Sequence, residues 1–400
     1  MSVTFADIQA AAERIRGHVD RTPTRYSRKL SELTGAEVWL KFENLHYTSS
    51  FKERGACNRL SQLSPEERKR GVVAASAGNH ASALAYHGSR LGIPVTIVMP
   101  EGTPFVKIEK TERYGGKVVI HGLDFTEATN HAKVLQAEHD YIFVSAFDDE
   151  GIVTGQGTCG LEFLEDAPEL DALIIPIGGG GLIAGCAIAA KAIKPDIEII
   201  GVEAAMYPSF SARRKGEEPK CGGQTIAEGI AIKAVGDIPF ALADPLVDDV
   251  LVVEEEDFEK AVAFYATLEK TVAEGAGAGG LAALLKYPER FKGKKVGLVL
   301  CGGNIDARML AVVLNREMVR EKRLVVYRIL GDDRPGMLSK MSAVIGGAGG
   351  NIIDVVHNRL ALDVPAKGAE FDIMVETRDA HHADEIRKGL EDAGYALRMG

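Results

Sequence analysis

The chain has 400 residues, of which 46% are hydrophobic and 26% charged, and its formal net charge is −10. The length predicts two or three domains of ordinary globular composition, and the acidic balance argues against nucleic acid as the main partner. No stretch resembles a membrane span, and the first residues lack the basic start and apolar run of a signal peptide. The five cysteines are widely spaced. They predict neither a zinc site nor a disulfide framework, and a reducing cytoplasm is the expected location.

Apolar runs of strand length alternate with helical patterns over the first three hundred residues. Strands are predicted at 37–42, 71–76, 95–100, 117–122, 172–177, 198–203 and 295–302, and helices between them at 80–92 and 182–194. Continuous Val/Ile runs alternating with helices predict an open α/β sheet of parallel strands covered on both faces. Ligands of such folds bind at the carboxyl ends of strands, so the turns that follow them are the candidate sites.

The pattern changes near Glu321, where a strand, a helix, two strands, a helix and a last strand follow from residue 324 onward. This βαββαβ order predicts a separate small α+β domain. The predicted domains are therefore residues 1–320 and 321–400. Two histidines of the second domain, His381 and His382, are predicted to be solvent-exposed.

Four consecutive glycines, 178 to 181, lie between a predicted buried strand and an apolar helix. Without Cβ atoms this backbone can bring several N–H groups close to an anion, and the helix N-terminus favours negative charge. Gly179, Gly181 and Ala184 also fit G-x-G-x-x-A, with Glu203 ending the next strand, which is the pattern of a nicotinamide dinucleotide site. A monophosphate cofactor needs only the glycine loop, and glycines can also serve strand–helix packing alone.

Lys52 lies in "YTSSFKERGACNRL" (47–60), between a hydroxyl-rich turn and a predicted helix. A single lysine in such a context is usually a surface charge. Two further turns follow predicted strands and carry small polar side chains, "SAGNHASA" (76–83) and "LVLCGGNID" (298–306). Together with the glycine loop, these turns can form one crevice that holds a phosphate, a lysine amine and neutral hydrogen-bonding groups.

With "SSFKERGA", "SAGNHA", "GGGGL" and "CGGN" in this order, the chain resembles the threonine/serine dehydratase branch of the fold-type II pyridoxal-phosphate (PLP) enzymes. The resemblance spans about residues 5–315, and the tail resembles an ACT regulatory domain with "DRPGMLS" as its signature turn. It implies two open twisted, mostly parallel sheets with helices on both faces. A smaller mobile subdomain is expected at about residues 49–150.

The resemblance also implies the site residues. Lys52 matches the Schiff-base lysine, Asn79 the residue that hydrogen-bonds the phenolic oxygen of PLP, and Cys301 the residue that faces the pyridine nitrogen. Further cofactor contacts are expected from Phe51, Gly178, Gly179, Gly180, Gly181 and Leu182, and substrate contacts from Ser76, Ala77, Gly78, Asn79 and His80. A structural role at the start of its helix is the alternative for His80.

The chemistry expected of this family suits these residue types. A lysine must be neutral to form an imine, and a nearly dry pocket lowers its pKa. PLP serves as an electron sink, and the freed Lys52 can take the Cα proton of the substrate. A neutral thiol at Cys301 does not keep the ring nitrogen protonated. Prompt loss of the β-hydroxyl is then favoured over transamination, and a 2-oxo acid and ammonia are released.

Conversion of L-threonine to 2-oxobutanoate, and of L-serine to pyruvate, is the expected reaction on family grounds. Serine racemases resemble this chain but carry a serine where Ala77 stands. Little racemisation is therefore expected, because alanine has no proton to give. Serine racemase and 3-hydroxyaspartate dehydratase remain alternatives on the same fold. A nicotinamide-dependent dehydrogenase and a catalytically dead amino-acid sensor are alternatives of other classes.

Several relatives bind a divalent cation after the 198–203 strand. Glu203 matches the first ligand, but Ser209 stands in place of a later aspartate. Weak binding of Mg²⁺ or Ca²⁺ and a structural role for Glu203 are both consistent with this pattern. Glu274 precedes a predicted helix, and pairing with the helix dipole accounts for it.

An ACT-like domain is expected to bind an amino acid between two copies, near the turn after its first strand. That turn contains Asp333, Arg334 and Gly336, and Asn351 opens the second strand. Regulation by a branched-chain amino acid and assembly into a homodimer or homotetramer are predicted. A pure dimerisation domain is the alternative.

Overall fold

The computed structural model describes residues 3–359 and 368–398, and the chain divides into two compact units, Met1–Ile305 and Asp306–Gly400. The strands are β1 (Thr24–Ser27), β2 (Glu37–Lys41), β3 (Val72–Ala75), β4 (Val95–Met99), β5 (Lys117–Ile120), β6 (Ile142–Phe143), β7 (Ala172–Pro176), β8 (Glu198–Ala204), β9 (Asp249–Val253), β10 (Lys295–Val299), β11 (Leu324–Asp332), β12 (Asn351–Asn358), β13 (Gly368–Glu376) and β14 (Ala396–Arg398).

The helices of the first unit are α1 (Phe5–Ile15), α2 (Arg28–Thr34), α3 (Lys52–Ser61), α4 (Pro65–Arg70), α5 (Asn79–Leu91), α6 (Phe105–Arg113), α7 (Phe125–His139), α8 (Glu150–Asp166), α9 (Gly181–Ile193), α10 (Ser209–Lys215), α11 (Asp237–Ala243), α12 (Glu255–Phe264), α13 (Gly279–Lys286) and α14 (Pro288–Phe291). Those of the second unit are α15 (Ala307–Arg320), α16 (Met337–Gly347) and α17 (Ala380–Asp392). Within the described ranges, no helix combines the length and the apolar character needed to cross a membrane.

The larger sheet of the first unit has the order β1-β2-β10-β7-β8-β9 and is parallel except for β1. Every residue of β7 is buried, as expected for a Val/Ile-rich parallel strand covered on both faces. The carboxyl ends of β2, β10 and β7 lie side by side. The segments that follow these three strands therefore meet at one edge of the sheet, where ligands of α/β folds bind.

The smaller sheet has the order β5-β4-β3-β6 and is entirely parallel. Its strands lie within the predicted subdomain at residues 49–150, and the mobility of that subdomain stays a prediction. All seven predicted strands are present, with ends within three residues of the predicted ones. Strands β1, β6 and β9 were not predicted: β6 has only two residues, β1 is an edge strand without an apolar run, and β9 is an edge strand whose short apolar run, Val250 to Val253, was overlooked.

The second unit contains a four-stranded antiparallel sheet of order β12-β13-β11-β14, and its elements follow the predicted βαββαβ order. Its core joins alternate residues of β11, Tyr327 and Ile329, to Met341 and Ile345 of α16 and to other buried side chains of α17 and β13. Alternation along the strand leaves Val326 on the opposite face, where it is exposed.

The two compact units divide before α15, whereas the domain boundary at 320/321 stays a prediction. The helix turns directly into β11: Lys322 adopts a left-handed φ of +58° and Arg323 N donates to Met318 O at 2.8 Å. One expectation for this part of the chain was wrong. His382 is buried rather than solvent-exposed. Its ring accepts from Arg378 N at 3.1 Å and donates to Ala348 O at 2.9 Å, contacts that local sequence does not reveal.

Candidate active site

Lys52 is the first residue of α3, and the loop before it is attached to the segment that follows β10. Phe51 N donates to Cys301 O at 3.0 Å, and Gly303 N donates to Ser49 O at 2.9 Å. Ser49 has a left-handed φ of +62°, which is uncommon for a residue other than glycine. This local constraint brings the start of α3 to the carboxyl ends of β2 and β10.

The Lys52 amine is partly buried among backbone and aromatic groups. Its Nζ donates to Ala146 O at 2.6 Å and lies 5.0 Å from the centroid of the Phe51 ring. Burial lowers the pKa of Lys52 to about 8, although Cys301 and Glu274 act in the opposite direction. A substantial fraction of this amine is therefore neutral near pH 8, as nucleophilic and general-base chemistry requires.

Cys301 lies two residues beyond β10 and is almost fully buried, with 3% of its surface exposed. Burial raises the pKa of its thiol well above the ordinary value, and the charge of Glu274 acts in the same direction. The thiol is therefore neutral at physiological pH. A nucleophilic cysteine requires the opposite shift, so the environment does not support a thiolate mechanism.

Asn79 opens α5 and joins two polar side chains from distant parts of the chain. Its Nδ2 donates to Glu274 Oε1 at 2.8 Å, and its Oδ1 accepts from Asn304 Nδ2 at 2.7 Å. Glu274 lies two residues before the helical segment that begins at Ala276, as predicted, and the contact of its carboxylate with a side-chain amide was not predicted. Burial raises the pKa of Glu274 to about 7.

The other predicted substrate residues surround the turn between β3 and α5. Ser76 Oγ accepts from Gly78 N at 3.3 Å, and Ala77 is partly buried beside them. His80 is buried, and its Nε2 contacts Val144 O at 3.1 Å. Burial, with a further contribution from Lys52, lowers the pKa of His80 to about 3, so the ring is neutral. This geometry fits a structural role for His80 at the start of α5, which was the alternative to substrate binding.

The glycine loop connects β7 to α9 and has space for backbone only. Gly180 adopts a left-handed φ of +90° and caps α9, which has no side-chain cap. A Cβ at Gly178 would lie 3.0 Å from Gly229 O, and one at Gly179 would overlap the ring of Phe147. The N-terminal amides of α9 can therefore serve an external anion.

Comparison with known proteins also indicates a site for pyridoxal phosphate. The family model for pyridoxal-phosphate dependent enzymes matches residues 15–302. The chain belongs to this family.

Three known proteins that are similar to this enzyme differ in their activities. An L-threonine ammonia-lyase of Thermotoga maritima is 43% identical over 399 residues, covering 99% of both chains. An L-threo-3-hydroxyaspartate ammonia-lyase of Saccharomyces cerevisiae is 37% identical and covers 78% of this chain and 96% of its own. The solved structure of a maize serine racemase has a TM-score of 0.75 and 32% identity, covering 80% of this chain and 100% of that one.

The residues of this enzyme fit pyridoxal phosphate as cofactor. The glycine loop and the uncapped start of α9 suit its phosphate, and Lys52 supplies an amine whose pKa is lowered by burial. The neutral Cys301 thiol suits a position beside an unprotonated ring nitrogen. The family assignment decides between the two cofactors considered for the glycine loop, in favour of the monophosphate.

The hydrogen bonds of Glu203 fit the structural alternative rather than weak cation binding. Its Oε1 accepts from Phe210 N at 2.6 Å, and its Oε2 accepts from Ser211 N at 3.0 Å and Ser211 Oγ at 2.6 Å. The carboxylate is fully buried and caps α10, near the buried Ser209. No group of three or more His, Cys, Asp or Glu side chains suited to a metal occurs among the described residues.

The predicted effector residues fall into two places in the second unit. Asp333 pairs with Arg359 at 3.0 Å, Arg334 pairs with Asp332 at 3.0 Å, and Gly336 caps α16 with a φ of +85°. These residues form one turn after β11.

Asn351 lies at the opposite end of the same sheet. It pairs with Glu376, which in turn pairs with Leu324 at the start of β11, whereas Asp332 at the other end pairs with Gly368. A single copy therefore does not bring Asn351 to the turn. A site that uses both would therefore need residues from two copies.

Proposed function

We propose that the enzyme is an L-threonine ammonia-lyase that forms 2-oxobutanoate and ammonia, and that it also converts L-serine to pyruvate. The observation that supports this best is the likeness to the T. maritima enzyme, because it extends over 99% of both chains and includes the C-terminal unit. The likeness to the yeast hydroxyaspartate enzyme covers 78% of this chain. L-threo-3-hydroxyaspartate is therefore the second candidate substrate.

The reaction removes the Cα proton and the β-hydroxyl of L-threonine, and the water lost is taken up again when the nitrogen leaves as ammonia. When bound, pyridoxal phosphate supplies an electron sink for the charge left at Cα. Lys52 acts as the base, because its Nζ has a pKa of about 8 and lies in the cleft formed by the carboxyl ends of the strands. The hydrogen bond that Nζ donates to Ala146 O at 2.6 Å directs the free amine into this cleft.

The other proposed roles follow from the donors that each loop presents. The amides of Gly178 to Leu182 hold the phosphate, and Asn79 donates to the phenolic oxygen. The turn at Ser76 to Gly78 receives the substrate carboxylate, because it lies at the start of α5 beside Asn79. Phe51 bounds the amine of Lys52 with an apolar face, which excludes water from it.

The direct test uses purified full-length protein with pyridoxal phosphate and L-threonine. Equal amounts of 2-oxobutanoate and ammonia are expected, and L-serine should give pyruvate with a lower kcat/KM. Faster turnover of L-threo-3-hydroxyaspartate than of L-threonine would assign the enzyme to the second substrate. A colourless protein that fails to incorporate the cofactor would contradict the proposal as a whole.

Racemisation is expected to be slow because Ala77 provides no proton donor at the turn after β3. With L-serine as substrate, D-serine should form at least about tenfold more slowly than pyruvate, since loss of one acid/base group typically costs 10²–10⁴ in rate. Ala77→Ser should raise the D-serine to pyruvate ratio. Chiral chromatography of the reaction mixture measures both products. D-serine formation as fast as pyruvate formation by the unaltered enzyme would refute the prediction.

The C-terminal unit is proposed to bind a branched-chain amino acid that regulates the enzyme. Exposed apolar side chains on its sheet, including Val326, Ile353 and Val356, support contact between copies as a dimer or tetramer. Light scattering should therefore give a mass of at least two chains.

All five cysteines are free, which is consistent with a cytoplasmic location.

Deletion of residues 324–400 is expected to abolish the response to isoleucine or valine while turnover of L-threonine continues. Regulation requires that the effector bind two states of the enzyme differently, and deletion removes the proposed binding surface. The measurement is the initial rate with and without each amino acid. Asp333→Ala is the milder companion, because it breaks the pair with Arg359 without removing the domain. Loss of turnover together with the response would indicate a structural domain.

A further inference from the structure

Glu274 belongs to a chain of polar side chains that ends at the proposed cofactor site. Lys110 Nζ donates to Asn304 Oδ1 at 2.5 Å, and Asn304 Nδ2 donates both to Thr48 O at 2.8 Å and to Asn79 Oδ1 at 2.7 Å. Asn79 Nδ2 then donates to Glu274 Oε1 at 2.8 Å. The chain therefore connects α6, the loop after β10, the start of α5 and the segment before α13.

The two ends of this chain determine its direction. A lysine ammonium can only donate hydrogen bonds, and an ionised carboxylate can only accept them, whereas an asparagine amide can turn over and exchange its two ends. With Lys110 at one end and the ionised form of Glu274 at the other, both amides have one favourable orientation. The Nδ2 group of Asn79 donates one of its two hydrogens to Glu274, and its second hydrogen is still available for another acceptor.

Close packing holds the Glu274 carboxylate in this place. A Cβ at Gly302 would overlap Glu274 Oε1 and would lie 3.3 Å from Asn79 Nδ2, so only glycine allows the carboxylate to approach. The backbone is attached at the same point, since Glu274 N donates to Gly302 O at 3.0 Å. The carboxylate is thus held by the loop that also carries Cys301.

We propose that Glu274 is a positioning residue, which orients the side-chain amide of Asn79 so that its remaining Nδ2 hydrogen is available to the phenolic oxygen of the cofactor. The proposal rests on the cofactor role proposed for Asn79. Without the acceptor at position 274, only the hydrogen bond from Asn304 Nδ2 to Asn79 Oδ1 holds the amide of Asn79, and the amide turns its oxygen toward the cofactor more readily. Two acceptor oxygens then face each other, and the cofactor is bound less tightly.

A double-mutant cycle on the full-length apoprotein tests this action through Asn79, with the dissociation constant of pyridoxal phosphate as readout. Asn79→Ala and Glu274→Ala should each weaken binding roughly tenfold, as expected for a hydrogen bond to a charged group. The double variant should bind within about twofold of Asn79→Ala, because coupled residues are not additive. A Glu274→Ala variant that binds as tightly as the unaltered protein, or additive losses in the double variant, would overturn the proposal.

Glu274→Gln provides a second variant with nearly the same shape. Its side chain can present either an oxygen or an NH₂ group to Asn79, so the chain loses its single direction. We expect intermediate affinity and a shifted absorbance band of the bound cofactor, because the hydrogen bond acts on the phenolic oxygen. This result decides the matter if Glu274→Ala does not fold, and an unchanged affinity and spectrum would count against the proposal.

Glu228→Gln is the matched control. Glu228 is a neighbouring carboxylate whose charge raises the pKa of Glu274, but it is exposed and pairs with Lys107 at 2.7 Å. Its neutralisation should leave cofactor affinity and absorbance unchanged. Equal losses in both variants would indicate a general effect of charge and would overturn the positioning role. Failure of the unaltered protein to bind pyridoxal phosphate would instead refute the proposed function.

Discussion

Replacement of Lys52 by alanine is expected to lower the rate of 2-oxobutanoate formation from L-threonine by roughly 1,000-fold or more. The variant loses both the amine that carries the cofactor and the base proposed for the Cα proton. No other lysine is expected to replace it, because the amine at the start of α3 is held by Ala146 O and has a pKa of about 8 set by burial. Borohydride reduction of the unaltered enzyme should leave the cofactor on the peptide that contains Lys52.

Lys133→Ala is the matched control, since Lys133 is an exposed residue of α7 outside the proposed site. It should retain the unaltered rate and the same modified peptide. Near-normal turnover by Lys52→Ala, or attachment of the cofactor to another peptide, would contradict the site assignment. Both measurements require only purified full-length protein.

Arg54→Ala is expected to reduce the free energy of unfolding by about 3–5 kcal/mol, the cost of removing one partner from a buried ion pair. Arg54 is fully buried, two residues after Lys52, and donates to Glu43 at 2.6 and 2.8 Å and to Glu162 at 2.7 and 2.8 Å. Burial alone would raise the pKa of Glu43, but Arg54 and His46 hold it well below its ordinary range. Without Arg54 this carboxylate must either remain charged with poor compensation or take up a proton.

Chemical denaturation followed by circular dichroism measures the loss. Arg28→Ala is the comparison, because Arg28 forms an exposed pair with Glu32 on α2 at 2.7 Å. A change within about 0.5 kcal/mol is expected there, as for most surface pairs at this spacing. If both variants lost the same free energy of unfolding, the buried ion pairs of Arg54 would not contribute more to stability than an exposed pair does.

Local sequence patterns were sufficient to locate much of the proposed site. Glycines, small polar residues and apolar strands occur as consecutive letters in the turns at 76–80, 178–182 and 301–304. Each pattern reports a backbone conformation formed by neighbouring residues, such as the left-handed Gly180 before α9. Because the strands are parallel, these turns all lie at the carboxyl ends of strands, which is a general property of ligand sites in α/β folds.

Other parts of the site were beyond the reach of these patterns. Glu274 is separated from Asn79 by 195 residues, and Asn304 by 225. The ring of Phe147 lies against Gly179 although it follows β6, a strand of only two residues. No local signal distinguished Glu274 from an acidic residue at an ordinary helix start. Strand direction likewise separates Asn351 from the turn at Asp333 within one copy, and the predicted site between two copies stays a prediction.

The order of residues alone determined the α/β architecture, the βαββαβ tail, and the lysine and glycine turns, because each depends on the spacing of apolar and flexible residues within a few turns of chain. Only the tertiary structure decided which charges are buried and which amides they orient. Those properties arise when side chains from α3, α5, α8 and the loop after β10 are removed from water together, and the free energy of a buried charge depends on partners that are distant in sequence.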